Sequence, residues 1–217
     1  MKYRYAIFDF DLTLADSSVG IIECYKHTLA LFDYPIPTDK EIYDTIGKTL
    51  EDSFDILTGI KDNPQNAELR AAYVKKANTV MASKTVFYDD AIALLQILQN
   101  AGVKTAIVSS KMRYRIEETF MLHTGAVPVD VIVGLSDAPV PKPDPSGLIY
   151  ACELLGAPRE DTIYIGDNTI DAVTAKAAGI DFGAVTTGST TAEEFSAYPN
   201  VAVAGSLLEL FQKLNKS

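Results

Sequence analysis

Residues 5–17 read YAIFDFDLTLADS, an apolar and aromatic run that ends in two aspartates one residue apart. Tyr5, Ile7 and Phe8 are strand-forming residue types, so the run predicts a buried strand with Asp9 and Asp11 at its end. Paired carboxylates repel each other and lose hydration there unless something positive lies between them. Asp9 and Asp11 are either surface decoration or a cation-holding, reacting pair, and the rest of the chain decides between the two.

Beyond residue 84, strand-like and helix-like segments alternate. VKTAIVSS (103–110), VDVIVGL (129–135), DTIYIGD (161–167) and DFGAVTTG (181–188) are strand candidates. Residues 113–125, 145–157 and 169–180 have helical spacing, the last closing at Gly179. The alternation predicts an α/β fold with a parallel sheet flanked by helices. Capping-box spacings at Thr191 with Glu194 and Ser206 with Glu209 predict two further helix starts. Residues 17–83 interrupt this pattern with four helical segments punctuated by PIPT, Gly47, Gly59 and DNP, and with no convincing strand. The expected organisation is a core of residues 1–15 and 84–217, with an all-helical cap of residues 16–83 inserted after the first strand.

The 217 residues suit one domain with a substantial insertion, and a 47% hydrophobic share excludes a disordered chain. A net charge of −10 argues against nucleic acid, whose phosphates need clustered Lys and Arg. No apolar stretch reaches membrane-spanning length and no signal-peptide pattern opens the chain. Cys24 and Cys152 lie far apart and read as free thiols, which places the protein in a reducing cytoplasm.

Parallel sheets collect ligands at the carboxyl ends of their strands. Asp9 and Asp11 end the first strand, Ser109 and Ser110 the second, and Lys142 follows the third in PKPDP. Asp167 ends the fourth, with Asp171 four residues on. Carboxylate oxygens suit Mg²⁺, which accepts substrate phosphate as a further ligand. A carboxylate can attack phosphorus to form an acyl phosphate, with a lysine and a hydroxyl stabilising the transferring group. A second carboxylate can serve the leaving oxygen and then the attacking water with a proton.

DFDLTLADS (9–17), IVSSK (107–111), VPKPDP (140–145) and YIGDNTID (164–171) resemble, in order, the four motifs of the haloacid dehalogenase superfamily. The cap position resembles the phosphoglycolate phosphatase-like branch. The resemblance implies a Rossmann-like core, Asp9 as nucleophile, Asp11 as acid/base, Ser109 as the second-motif hydroxyl and Lys142 as the third-motif lysine. It also implies Mg²⁺ held by Asp9, the Asp11 backbone carbonyl and Asp167, with Asp171 steadying the metal shell or the lysine. Leu12 stands where glycine is commonest in the first motif, and Asp11 argues against dehalogenase and phosphonate-cleaving chemistry.

Ser110 and, from the cap, Lys48 in TIGKTLEDSF complete the candidate substrate-binding set. Lys111 and Arg113 read as cover for the helix start, and His27 and His123 share no motif. The expected activity is Mg²⁺-dependent hydrolysis of a small phosphorylated metabolite by a monomer or homodimer, without membrane or nucleic-acid partners. Alternatives within the family are a β-phosphoglucomutase-like mutase, an inorganic pyrophosphatase and a nucleotidase. A response-regulator receiver carries its phospho-acceptor on a later strand, and a dead scaffold would have lost motif residues.

Overall fold

The structure, a computed structural model, describes residues 2–216. Its centre is a parallel sheet of six strands: β1 (Tyr5–Phe8), β4 (Lys104–Val108), β5 (Val131–Val133), β6 (Thr162–Gly166), β7 (Asp181–Val185) and β8 (Ala202–Ala204). Their spatial order is β5-β4-β1-β6-β7-β8, so β1 lies inside the sheet between β4 and β6. Two extended residues after β1, β2 (Ala15–Asp16), pair antiparallel with β3 (Val86–Phe87) in a separate short ribbon.

Alternation explains why these strands are apolar throughout. Ala6, Phe8, Ile107, Ile163 and Ile165 point to one face, where they meet Leu94, Leu95 and Leu98 of α5 (Ala91–Asn100) and Leu210 and Phe211 of α10 (Leu207–Leu214). Ile7, Ala106, Val108 and Tyr164 point to the other, against α7 (Ser146–Leu155) and α8 (Thr169–Ala178). Successive side chains on a strand face opposite ways, so a sheet covered on both sides needs apolar residues at every position. The sequence reading does not single out α5 or β8. β8 is only three residues long, with two of them partly exposed, which leaves a weak signal.

The remaining helices are α6 (Arg113–Thr124) and the short α9 (Ala192–Phe195). Thr191 and Glu194 make both bonds of a capping box. Ser206 caps Glu209 N–H, but the Glu209 carboxylate accepts from Gly205 N–H, one residue before the expected partner. Among the described residues no helix is long and apolar enough to cross a membrane. Cys24 and Cys152 are buried free thiols, and burial pushes the Cys24 thiol up to about 11.

Between β2 and β3 the chain forms α1 (Ser18–Leu31), α2 (Asp39–Tyr43), α3 (Leu50–Thr58) and α4 (Asn66–Val80), then a 3₁₀ turn over Ala82–Lys84. These helices bury their own apolar cluster, with the rings of Tyr25, Phe54 and Tyr73 meeting at centroid distances of 4.8–6.2 Å. Leu12 joins that cluster from the turn after β1, fully buried. To reach it the leucine takes φ +60°, a left-handed conformation that costs a side-chain-bearing residue about 1–2 kcal/mol. The apolar contact explains why a leucine occupies this turn: it fastens the strand end to the helices above it.

Glycine at this position relieves the strain and deletes a buried side chain worth about 2–5 kcal/mol. Leu12→Gly is therefore expected to lose up to about 4 kcal/mol net, read from urea unfolding, and a more stable variant would contradict the anchoring role.

Candidate active site

β1, β4 and β6 end side by side, and the loops that follow them supply the site. Lys142, in the loop before α7, reaches back under these ends. Its Nζ lies 2.7 Å from Asp171 Oδ1 and 3.1 Å from Asp9 Oδ1, and donates to the Tyr164 hydroxyl at 3.1 Å. The three side chains around it are buried. Burial alone would lower the Lys142 ammonium, but Asp171 and Asp9 outweigh it and hold the group well above its ordinary range. The lysine is a fixed positive charge.

Asp9, Asp167 and Asp171 bring carboxylate oxygens within 4.8 Å of one another. Burial pushes Asp9 up to about 6, with Lys142 opposing and Asp171 and Asp11 adding to the rise. Burial, then Asp171 and Asp9, hold Asp167 well above the usual carboxylate range. Asp171 has little capacity left: Oδ1 meets Lys142 and accepts from Tyr164 at 3.0 Å, and Oδ2 accepts Asn168 N–H at 3.1 Å. Asp167 Oδ1 accepts the Thr13 hydroxyl at 2.8 Å. Asp9 Oδ1 is buried with no hydrogen bond directed at it among the described residues, although the Lys142 ammonium is near. Three hard, crowded oxygen donors, one of them orphaned, fit a divalent cation.

Glycines let the backbone close on these carboxylates. A Cβ on Gly188 would fall 1.9 Å from Asp167 Oδ2, and one on Gly166 would fall 2.4 Å from Asp171. No side chain fits at either place without moving a carboxylate.

Above Asp9 lies a cavity of about 110 Å³ between the strand ends and the four helices. Asp9, Asp11, Ser109, Ser110 and Lys48 all line it, whereas Lys142, Asp167 and Asp171 stand beside Asp9 and outside that lining. Asp11 Oδ1 pairs with Lys111 Nζ at 2.6 Å and accepts the Ser17 hydroxyl. Ser109 Oγ accepts Lys111 N–H at 3.3 Å. Ser110 does not offer its hydroxyl freely: it donates to the Gly47 carbonyl at 3.0 Å, joining the β4 end to the helical segment. The Lys48 ammonium has no hydrogen-bond or ion-pair partner among the described residues.

Lys111 is the main difference from the sequence reading. It does not cover a helix start; its side chain is 8% exposed, lies over the Phe10 ring and is spent on Asp11. Thr13, Tyr164 and Gly188 were also missed. Tyr164 carried a usable signal, since a tyrosine in a strand buried on both faces needs a partner for its hydroxyl. Thr13 and Gly188 carried none, because their partner Asp167 is distant in the chain.

The haloacid dehalogenase-like hydrolase family profile matches residues 6–185. The chain is 34% identical over 182 residues to pyrophosphatase PpaX of Halalkalibacterium halodurans, covering 83% of this chain and 82% of that protein. A Bacteroides fragilis crystal structure described as a haloacid dehalogenase-like hydrolase superposes with TM-score 0.93 at 44% identity, over 96% of this chain and 99% of its own. A predicted phosphatase from Clostridium acetobutylicum superposes with TM-score 0.89 at 25% identity, over 99% of each chain. With its parallel sheet, the carboxylates and lysine gathered at the strand ends, and these matches along most of its length, the chain belongs to the haloacid dehalogenase-like hydrolase family.

Proposed function

We propose that the protein is a Mg²⁺-dependent phosphatase that hydrolyses a small phosphorylated compound through an aspartyl phosphate on Asp9. The observation that carries this reading is Asp9 itself. It is a buried carboxylate with one oxygen free of hydrogen bonds, beside a fixed ammonium and at the floor of a cavity. Relatives called pyrophosphatase and phosphatase support the same chemistry.

Asp9 and Asp167, with the Asp11 backbone carbonyl, would hold the metal ion. When bound, it supplies charge neutralisation for the carboxylates and for the phosphoryl oxygens. Asp171 acts one step back, because both its oxygens are engaged in fixing Lys142 and the α8 terminus.

In the first step an Asp9 oxygen attacks phosphorus and the bond from phosphorus to the leaving oxygen breaks. The electron pair departs with that oxygen, which takes a proton from Asp11. In the second, water attacks phosphorus, Asp11 recovers a proton, and the bond to Asp9 breaks to give inorganic phosphate and the free carboxylate. Lys142 and the Ser109 hydroxyl stabilise the transferring phosphoryl group from the core side, and Lys48 faces it from the helices. Residues 16–83 act as the cap, closing the reacting centre from bulk water.

Phosphate release from small phosphorylated metabolites is expected with Mg²⁺ and abolished by EDTA; undiminished release in EDTA would overturn the metal assignment. Asp9→Asn is expected to lose about 10³-fold or more in turnover, since removal of a nucleophile leaves only binding and residual polarisation. It should unfold at the same or higher urea, because it removes a buried charge. Gly188→Ala must push Asp167 aside. The expected results are a rise of about 10-fold or more in the Mg²⁺ concentration for half-maximal activity and an unchanged circular dichroism spectrum.

A further inference from the structure

The cavity beside Asp9 is built from two kinds of surface. Its floor is polar, with Asp9, Asp11 and the two serines. The helical segment supplies much of the rest, mostly carbon from Ile21, Val74, Ala77 and Met81, together with Tyr25 and Tyr73, which carry hydroxyls. Ile21, Ala77 and Met81, with the two tyrosine rings, belong to the apolar cluster of the helical segment, so packing holds them in place.

Four cations also reach the cavity: Lys48, Arg70, Lys111 and Arg115. Three of them are committed elsewhere. Arg70 pairs with Glu51 at 2.7 Å, Arg115 with Glu118 at 3.1 Å and with Asn78, and Lys111 with Asp11 at 2.6 Å. The side chains of Lys111 and Asp11 are 8% and 12% exposed. Only Lys48 brings a charge with no partner among the described residues.

A second phosphoryl group carries several charged oxygens, each needing a donor once water is removed. One free ammonium and a few hydroxyls in a mostly carbon wall meet that demand poorly, and desolvating such a group without compensation is unfavourable. An alkyl or aromatic group would gain from the same wall by leaving water. We infer that the leaving group of the substrate is an organic alcohol with an apolar body, and not a second phosphoryl group. This rests on the phosphatase reading above and goes further, separating this chain's pocket from the pyrophosphate suggested by the name of one of its relatives.

The test is kcat/KM for Mg²⁺-dependent phosphate release from methyl, ethyl, propyl and butyl phosphate and from inorganic pyrophosphate, with Asp9→Asn as the control. The alkyl leaving groups have nearly the same basicity, so differences between them report the pocket and not the chemistry. The expected result is a rise of about two- to fourfold per methylene, with butyl phosphate ahead of pyrophosphate. Val74→Lys, which sets a new ammonium into the wall, should shift the ratio toward pyrophosphate by about tenfold; Leu50→Lys, elsewhere on the lining, serves if the first variant does not fold. A flat or falling alkyl series, or Asp9-dependent turnover of pyrophosphate faster than butyl phosphate, would overturn the inference while leaving the phosphatase intact. Release that persists unchanged in Asp9→Asn would overturn both.

Discussion

The ammonium of Lys142 is the constraint on which the site depends. Asp9, Asp167 and Asp171 crowd their carboxylates within a few ångströms, and such charges away from water cannot be held together by packing. One lysine, reaching across from the loop before α7, contacts two of them and the Tyr164 hydroxyl. Three carboxylates around one ammonium are under-compensated, which is why Asp9 and Asp167 hold their protons to higher pH than usual, and a divalent cation would relieve the same crowding. The protein supplies enough positive charge to fix the geometry, and under the proposed mechanism the ion would supply the rest.

Much of this was legible in the chain because chemistry and topology coincide. A parallel sheet must deliver its strand ends to one edge, so Asp9, Ser109 and Asp167 could be placed together from the strand pattern alone. Their neighbours were harder to read. The Thr13 hydroxyl meets Asp167 only because the turn after β1 folds back on itself. Lys111 reads in sequence as an ordinary lysine at a helix start, and its role follows from the direction of one side chain toward Asp11. Ser110 shows the reverse case: the position is right for substrate, but its hydroxyl is engaged with Gly47. Sequence patterns report backbone direction well and side-chain partners poorly, since a partner is set by the distant segment that arrives opposite.

The helical segment and the sheet meet through few but specific contacts. Leu12 enters the helical cluster from below, Ser110 reaches Gly47, the Tyr43 hydroxyl donates to the Thr187 carbonyl at 3.2 Å, and Arg115 reaches the Val74 carbonyl at 3.4 Å. These join the elements that line the cavity. The helical segment supplies most of the apolar lining of the cavity, and the strand ends supply the carboxylates.

The position of β1 has a consequence for how the protein is made. Tyr5 pairs with Lys104 on one side and with Thr162 on the other, so the strand that leads into Asp9 is flanked by segments translated long after it. The four helices, whose contacts are close in the chain, can gather while the ribosome is still producing their neighbours. The first strand must wait, and the carboxylates of Asp9 and Asp167 meet only once β6 has emerged. A nascent chain shorter than that holds Asp9 without Asp167 and Asp171, and the carboxylate cluster is completed late, when most of the sheet is already in place.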